Sequence, residues 1–362
     1  MYGERLLFTV CITAVLFFVS VFYDSNFEKI TANADRIGKN QPHHRRRGQR
    51  LSKATGFECT NQINGLYTNV RALIIDIDFL KQTTLECAEP YFGKIKIAVE
   101  ERDRGQVDNK TFSEYDVIFY RDDATRDYIE IVDYDGKRRI LPRFLTQSEG
   151  KFEYPTDLPA FLKYWESSRM IECLGLDIPR APQDAKRRLK LEGIVDMALY
   201  RDFLLALGIH PFLNGGSLLG WYRECSIIPH TQDVDFAARA TEYNSKLLEK
   251  LQNSADFRLK RILGVKEDSY EITIHTKAYN WPIDLFFVYD EGNTSWVGGT
   301  GADLSKYIYT YPRITSLCTA LLLEHYFWVP CNVLEILQTE HGSNWRIDYP
   351  TRRFNWNSSH RN

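Results

Sequence analysis

The sequence predicts an α/β protein with a mixed sheet over residues 181–362 and a separate N-terminal α/β domain over 56–180. Three observations predict it. Short β-branched or aromatic runs recur from Val70 to Phe79, Ile95 to Val99, Tyr115 to Tyr120 and Tyr128 to Val132, and again from Phe257 to Leu263, Tyr270 to Thr276 and Ile283 to Tyr289. Runs of that kind, bounded by turn residues, read as strands. Between the two groups, Leu189, Ile194, Met197, Leu204 and Leu207 recur at helical spacing over Lys186 to Leu207, with Gly208 placed as a C-cap. Ahead of that helix, Pro142, Pro155, Pro159, Pro179 and Pro182 punctuate a stretch that reads as a connector. Thr241 is placed to cap a further helix through Gln252, and Leu317 to Tyr326 and Asn332 to His341 read as two late helices.

The chain opens with a short tail, 1–5, and an uncharged apolar run from Leu6 to Tyr23, long enough to cross a bilayer. The run is too long for a cleaved signal, and no small-x-small pair closes it, because Val19 and Val21 are not small. A retained transmembrane signal anchor over 6–23 is expected. Residues 24–55 are polar and carry His43-His44-Arg45-Arg46-Arg47, so they cannot bury enough apolar area to fold alone and read as a stem. The sequons at Asn109, Asn293 and Asn357 favour a lumenal, glycosylated body. Asn109, in the charged stretch from Glu100 to Lys110, is expected to be better placed than Asn293, which adjoins a strand. Tail, anchor, stem and lumenal body make the plan of a single-pass type II Golgi membrane protein, with the endoplasmic reticulum as the alternative. Composition is ordinary for a globular chain, and a net charge of -2 supplies no general pull toward nucleic acid.

Chemistry concentrates between Leu213 and Arg239. Asn214-Gly215-Gly216-Ser217 precedes an apolar helical turn, and Asp233-Val234-Asp235 follows. Glycines let backbone N–H groups approach a phosphate at a helix start. Side chains two apart on a strand share a face, so Asp233 and Asp235 present two carboxylates together. Crowded carboxylates suit a hard cation such as Mg²⁺ or Mn²⁺. Asp-x-Asp by itself is weak, since Asp76-Ile77-Asp78 and Asp133-Tyr134-Asp135 also occur, and an isolated pair is ordinarily a solvated strand end. A third carboxylate, Asp284, lies in the apolar run from Trp281 to Tyr289, where burial without a partner is costly. Gly-Gly-Ser, Asp-x-Asp and a lone Asp on a later strand is the layout of a nucleotidyltransferase fold. Arg223 and Tyr222 are candidates to meet a phosphate and a base, Trp221 is expected in the core, and His230 is a turn residue or a further ligand.

The stretch from Gly216 to Ala237 resembles the core motif of the LicD-type phosphotransferases, in their fukutin-like branch. The likeness continues through Ile283 to Glu291, Trp296 to Thr300, and Val329 to Arg346. It departs from the bacterial pattern at Thr231-Gln232, where two further acidic residues usually stand. The resemblance implies metal-dependent transfer of a phosphorylated alditol, ribitol 5-phosphate from CDP-ribitol, onto a glycan of a secretory-pathway glycoprotein, in the setting of protein O-mannosylation, with related transferases as partners. It implies Asp233, Asp235 and Asp284 as metal-binding and catalytic residues, and Gly215, Gly216, Ser217, Tyr222 and Arg223 as substrate-binding residues. A nucleotide-sugar glycosyltransferase and a non-catalytic Golgi scaffold are the rival readings. Gly298 to Gly301 form a second glycine-rich stretch, a turn or a loop over donor phosphates. Cys59, Cys87, Cys173, Cys225, Cys318 and Cys331 permit up to three disulfides, and Cys318, His325, Cys331 and His341 are the alternative zinc ligands.

Overall fold

Two mixed sheets, each with its own buried core, make up the computed structural model, which describes residues 72–75, 94–107, 112–113, 115–132, 136–149, 152–300 and 305–353. The expected tail, anchor and stem lie outside these residues, as do Asp76, Asp78, Asn109, Gly301, Asn357, Cys59 and Cys87. Among the described residues no helix is long and apolar enough to cross a membrane.

The first sheet contains β1 (Ala72–Ile74), β2 (Ile95–Glu100), β3 (Tyr115–Arg121), β4 (Tyr128–Val132), β5 (Arg138–Pro142), β6 (Thr146–Glu149) and β7 (Phe152–Pro155), in the order β5-β4-β3-β2-β1-β7-β6. β2 runs parallel to β3 and β1 parallel to β7; the remaining pairs are antiparallel. Helix α1 (Leu158–Glu166) adds Phe161 to the core, and its start is capped by the Asp157 side chain, which accepts from the Ala160 N–H. The expected proline connector therefore contains strands and a helix. Pro142 and Pro155 end strands, and Pro159 occupies the first turn of α1, the positions that tolerate a residue without an N–H.

The second sheet contains β8 (Phe212–Leu213), β9 (Val234–Arg239), β10 (Phe257–Val265), β11 (Asp268–Thr276), β12 (Pro282–Glu291), β13 (Thr294–Thr300), β14 (Lys306–Pro312), β15 (Leu317–Leu322) and β16 (His325–Pro330). Its order is β10-β11-β12-β9-β8-β16-β15, with β13 between β12 and β14. Helices α2 (Ile194–Leu205), α3 (Gly215–Glu224), α4 (Leu247–Gln252) and α5 (Val333–His341) complete it. Leu317 to Tyr326, expected as a helix, is instead a hairpin, turning at Leu323 and Glu324 with φ of 48° and 73°. Two consecutive positive φ values are the signature of a tight hairpin turn, and an apolar run without clear period suits strand and helix equally. α2 starts at Ile194 and not at Lys186. The helix expected from Thr241 begins at Leu247; Ala240–Glu242 forms a 3-10 turn, and the Glu242 carboxylate accepts from the His210 N–H (2.9 Å) and Lys163 (2.8 Å). Gly298 and Gly299 are neither turn nor phosphate loop. They lie in β13, where a Cβ would collide with Ser269 and with the Tyr307 ring.

Hydrogen bonds tie the second half of the chain to the loops of the first. Thr319 on β15 donates its hydroxyl to the Ser167 carbonyl (2.7 Å) and its N–H to the Arg169 carbonyl (2.8 Å). Asp127 pairs with Arg201 (3.0 Å) and His325 (2.9 Å). All of this lies within one compact unit, Thr55–Asn362. Disulfides join Cys173 to Cys225 and Cys318 to Cys331, which removes the cysteines from the zinc alternative.

Candidate active site

The short strand β8 delivers the chain to Asn214, whose N–H donates to the Asp235 carbonyl (3.1 Å), and α3 starts at once. Asp235 returns its own N–H to Ser217 Oγ at 2.8 Å, tying the helix start to β9. Gly215 has φ of +49°, and a Cβ there would sit 3.1 Å from Asp235 Oδ2; at Gly216 the gap would be 3.6 Å. The glycines thus let the N-terminus of α3 close onto a carboxylate, the charge that a helix start favours.

Strand register does the rest. Asp284 on β12 stands directly opposite Asp235 on parallel β9. Across the other edge of β12, Asp284 stands opposite Thr273, and Thr273 opposite Arg261 on β10. Directly opposed residues share a face of the sheet. One row therefore runs Arg261, Thr273, Asp284, Asp235 and ends at the start of α3. The Thr273 hydroxyl donates to Asp284 Oδ1. Asp233 enters from the loop before β9, with Thr231 Oγ1 donating to its Oδ1 at 3.3 Å.

Burial of so many acids has an electrostatic consequence. Desolvation holds the carboxyl pKa of Asp233 above its ordinary value, with Asp284 adding repulsion. Desolvation also pushes Asp235 well up, reinforced by Asp233, Asp284 and Glu340. Asp284 is raised by burial against the lowering effects of Thr273 and Arg261, and Glu271 by burial and by Asp284. Glu340 of α5, which accepts from the Tyr311 hydroxyl (3.2 Å), is pushed to about 7 by burial. A hard cation would relieve this crowding, and the oxygen donors suit Mg²⁺ or Mn²⁺. Among the described residues no three His, Cys, Asp or Glu side chains converge as a ready metal cage. Mg²⁺ is commonly held by one or two carboxylates with substrate phosphates supplying further oxygens, so the donor set fits such a cation without a cage.

Comparison with known proteins follows the same boundaries. Residues 208–332 match the LicD/FKTN/FKRP nucleotidyltransferase domain, and residues 58–172 match the W02B3.4-like N-terminal domain. Two proteins of Caenorhabditis elegans, uncharacterized protein W02B3.4 and uncharacterized protein T07A5.1, are 35% and 36% identical over 84% and 85% of this chain, and over 80% and 83% of their own. The chain belongs to the fukutin-like LicD family. The human ribitol-5-phosphate transferase FKTN is 36% identical over 42% of the chain, and this match spans 32% of the FKTN sequence.

Within this fukutin-like chain, Asp233, Asp235, Asp284, Gly215, Gly216 and Ser217 come together, whereas two other residues singled out from sequence do not join them. Arg223 is 1% exposed and donates to the Trp345 and Ile347 carbonyls (3.1 and 3.3 Å) and to Glu224. It holds the C-terminal segment and is not aimed at a phosphate. Tyr222 packs on Trp345 at 5.7 Å, roughly 10 Å along α3 from the glycines. Trp221 is in the core, donating to the Leu321 carbonyl at 3.0 Å. His230 faces Asp348 (3.0 Å) and Thr351 (2.8 Å), a second clamp on the same C-terminal segment and not a metal ligand. Asn293 is exposed in the β12–β13 turn, while Asn109, its expected better, lies outside the described residues. Glu271, Thr273, Arg261, Glu340 and Tyr311 were not singled out from sequence. The signal for two of them is in β11, where Glu271, Thr273 and His275 alternate with Ile272 and Ile274 and so share one polar face.

Proposed function

We propose that the protein transfers ribitol 5-phosphate from CDP-ribitol onto a glycan of a secretory-pathway glycoprotein, using Mg²⁺ or Mn²⁺. Fukutin-like relatives support a ribitol-phosphate-transferase-like function at the level of the family. The observation that carries the reading is the register of Asp284 against Asp235 beside the glycine start of α3.

In this reading Asp233 and Asp235 would hold the cation, and the chemistry it would supply is neutralisation of the negative charge on the donor diphosphate and its leaving group. The acceptor hydroxyl oxygen forms the new bond to the ribitol-bearing phosphorus, and the bond from that phosphorus to cytidine monophosphate breaks. Asp284 takes the hydroxyl proton. Thr273 fixes one of its oxygens, and burial raises its carboxyl pKa, which makes it a better base. The start of α3 points N–H groups toward the donor phosphates.

A Golgi lumenal body behind an N-terminal anchor belongs to the same proposal. The disulfides fit an oxidising compartment, and Asn293 is accessible to a glycan.

Incubation with CDP-ribitol, CDP-glycerol and CDP-choline in the presence of a glycan acceptor, read by mass spectrometry, tests the reading. The expected product gains a ribitol phosphate and loses it in hydrofluoric acid. A sugar increment that survives the acid would establish glycosyl transfer instead.

A further inference from the structure

Arg223 is committed to the C-terminal segment, so a cation at the carboxylates must come from elsewhere in the fold. Arg261 is in place to provide one. It ends the cross-strand row, and a register shift in β10 between Leu259 and Arg261 re-aims the strand at this position. Its Nη2 lies 2.6 Å from Glu271 Oε1 and 3.9 Å from Asp284 Oδ1. The Arg261 side chain is 52% exposed, while that of Glu271 is 6% exposed. A buried carboxylate therefore anchors one nitrogen of a side chain that is half exposed. Arginine carries five N–H donors in a planar fork, and the approaches to Glu271 and Asp284 involve only one nitrogen.

We infer that Arg261 binds the diphosphate of the activated donor and that Glu271 is the residue that positions it. The inference deepens the transfer reading and rests on it. A diphosphate laid along the row meets backbone N–H groups of α3 at one end and the guanidinium at the other. The carboxylates lie between. A fork of N–H donors matches two phosphate oxygens at once, which an ammonium does not. Without Glu271 the long side chain would be free to leave the row; with it, the guanidinium stays beside Asp284.

The test is titration calorimetry of the wild type, Arg261→Gln, Arg261→Lys, Glu271→Gln and the double variant Arg261→Gln/Glu271→Gln. The probes are Mg²⁺ alone, Mg²⁺ with pyrophosphate, and Mg²⁺ with CDP-ribitol. Arg261→Gln is expected to weaken pyrophosphate and CDP-ribitol about tenfold or more. Arg261→Lys should recover part of the loss and Glu271→Gln should fall between, while Mg²⁺ alone binds as tightly or more tightly. The double variant removes the buried charge together with its partner, so it should keep the fold and still bind pyrophosphate weakly. Unchanged affinity for both phosphates in Arg261→Gln overturns the inference and leaves the transfer reading standing. Equal losses for Mg²⁺ alone also overturn it. Wild type that binds pyrophosphate through Arg261 but ignores CDP-ribitol upholds the anion site and overturns the transfer reading. Wild type that binds neither overturns both.

Discussion

Gly215 and Asp235 are held so close that a single added carbon would crowd them: a Cβ on Gly215 would lie 3.1 Å from Asp235 Oδ2. The contact joins the two halves of the motif, the glycine helix start and the Asp-x-Asp strand. It also explains why glycine stands there, because φ at Gly215 is +49° and the left-handed region is costly for other residues.

Gly215→Ala should therefore lose about 1–2 kcal/mol of stability in urea unfolding, from backbone strain alone, and should displace the Asp235 carboxylate. Gly216→Ala is the matched comparison, with a 3.6 Å gap and no positive φ. It should stay within about 0.5 kcal/mol of wild type. Equal losses in the two variants would show that the positive φ is not what places glycine at 215.

Arg223 leads to a different expectation. Arg180, Glu224 and Asp348, each under a tenth exposed, surround it and pin the segment from Trp345 to Asp348. Without Arg223 the two buried acids share Arg180 as their guanidinium partner and the Trp345 and Ile347 carbonyls lose their donor, so Arg223→Ala should cost about 3 kcal/mol or more. Limited proteolysis near residue 345 should rise with it. A variant that keeps its melting midpoint but loses nucleotide affinity would return Arg223 to the phosphate site.

The two disulfides are expected to contribute through the loops they close. Cys318 and Cys331 are separated by 13 residues, and Cys173 and Cys225 by 52. Chain-entropy arguments give about 3 and about 4 kcal/mol respectively. Replacing both cysteines of a pair by serine and comparing urea midpoints checks the order. A larger loss for the shorter loop would mean that local strain or packing outweighs loop closure.

His210 supplies a pH test. Burial holds its imidazole pKa below 6.5, and the Lys163 ammonium lowers it further, although Glu242 works the other way. The folded protein favours neutral His210, with Lys163 donating to Nδ1 at 2.8 Å. Its contribution to stability is therefore present above 6.5 and is lost as pH falls through the folded-state value. Lys163→Gln removes the cation and leaves Glu242, so an NMR titration should show His210 protonating at higher pH. A lower value in the variant would contradict this electrostatic account.

Asp233, Asp235 and Asp284 stand out in the sequence because an acid in an apolar strand demands a partner, and the strands from Phe257 to Tyr289 are long and β-branched. Arg261 was hidden, since Arg258, Lys260 and Arg261 look alike until register selects one. Glu340 looks like a helix-surface acid until α5 packs it against Tyr311. Arg223 misled because its neighbours in the chain are the motif, while its partners arrive from a segment more than a hundred positions later. Leu317 to Tyr326 misled because apolar content without period does not separate a strand from a helix.

Turnover of CDP-ribitol by Asp235→Asn tests whether Asp233 and Asp235 hold a cation with which the chain transfers a phosphorylated alditol. The substitution removes charge and keeps size, so the metal-free protein should melt at or above the wild-type midpoint, because crowding with Asp233 and Asp284 is relieved. Stabilisation by Mg²⁺ should shrink, since binding to the folded form is what raises the midpoint. Release of cytidine monophosphate should fall about a hundredfold or more. Asp78→Asn, in the other Asp-x-Asp, should turn over near the wild-type rate. Wild-type turnover by Asp235→Asn, or an equal loss in folded Asp78→Asn, would contradict the account.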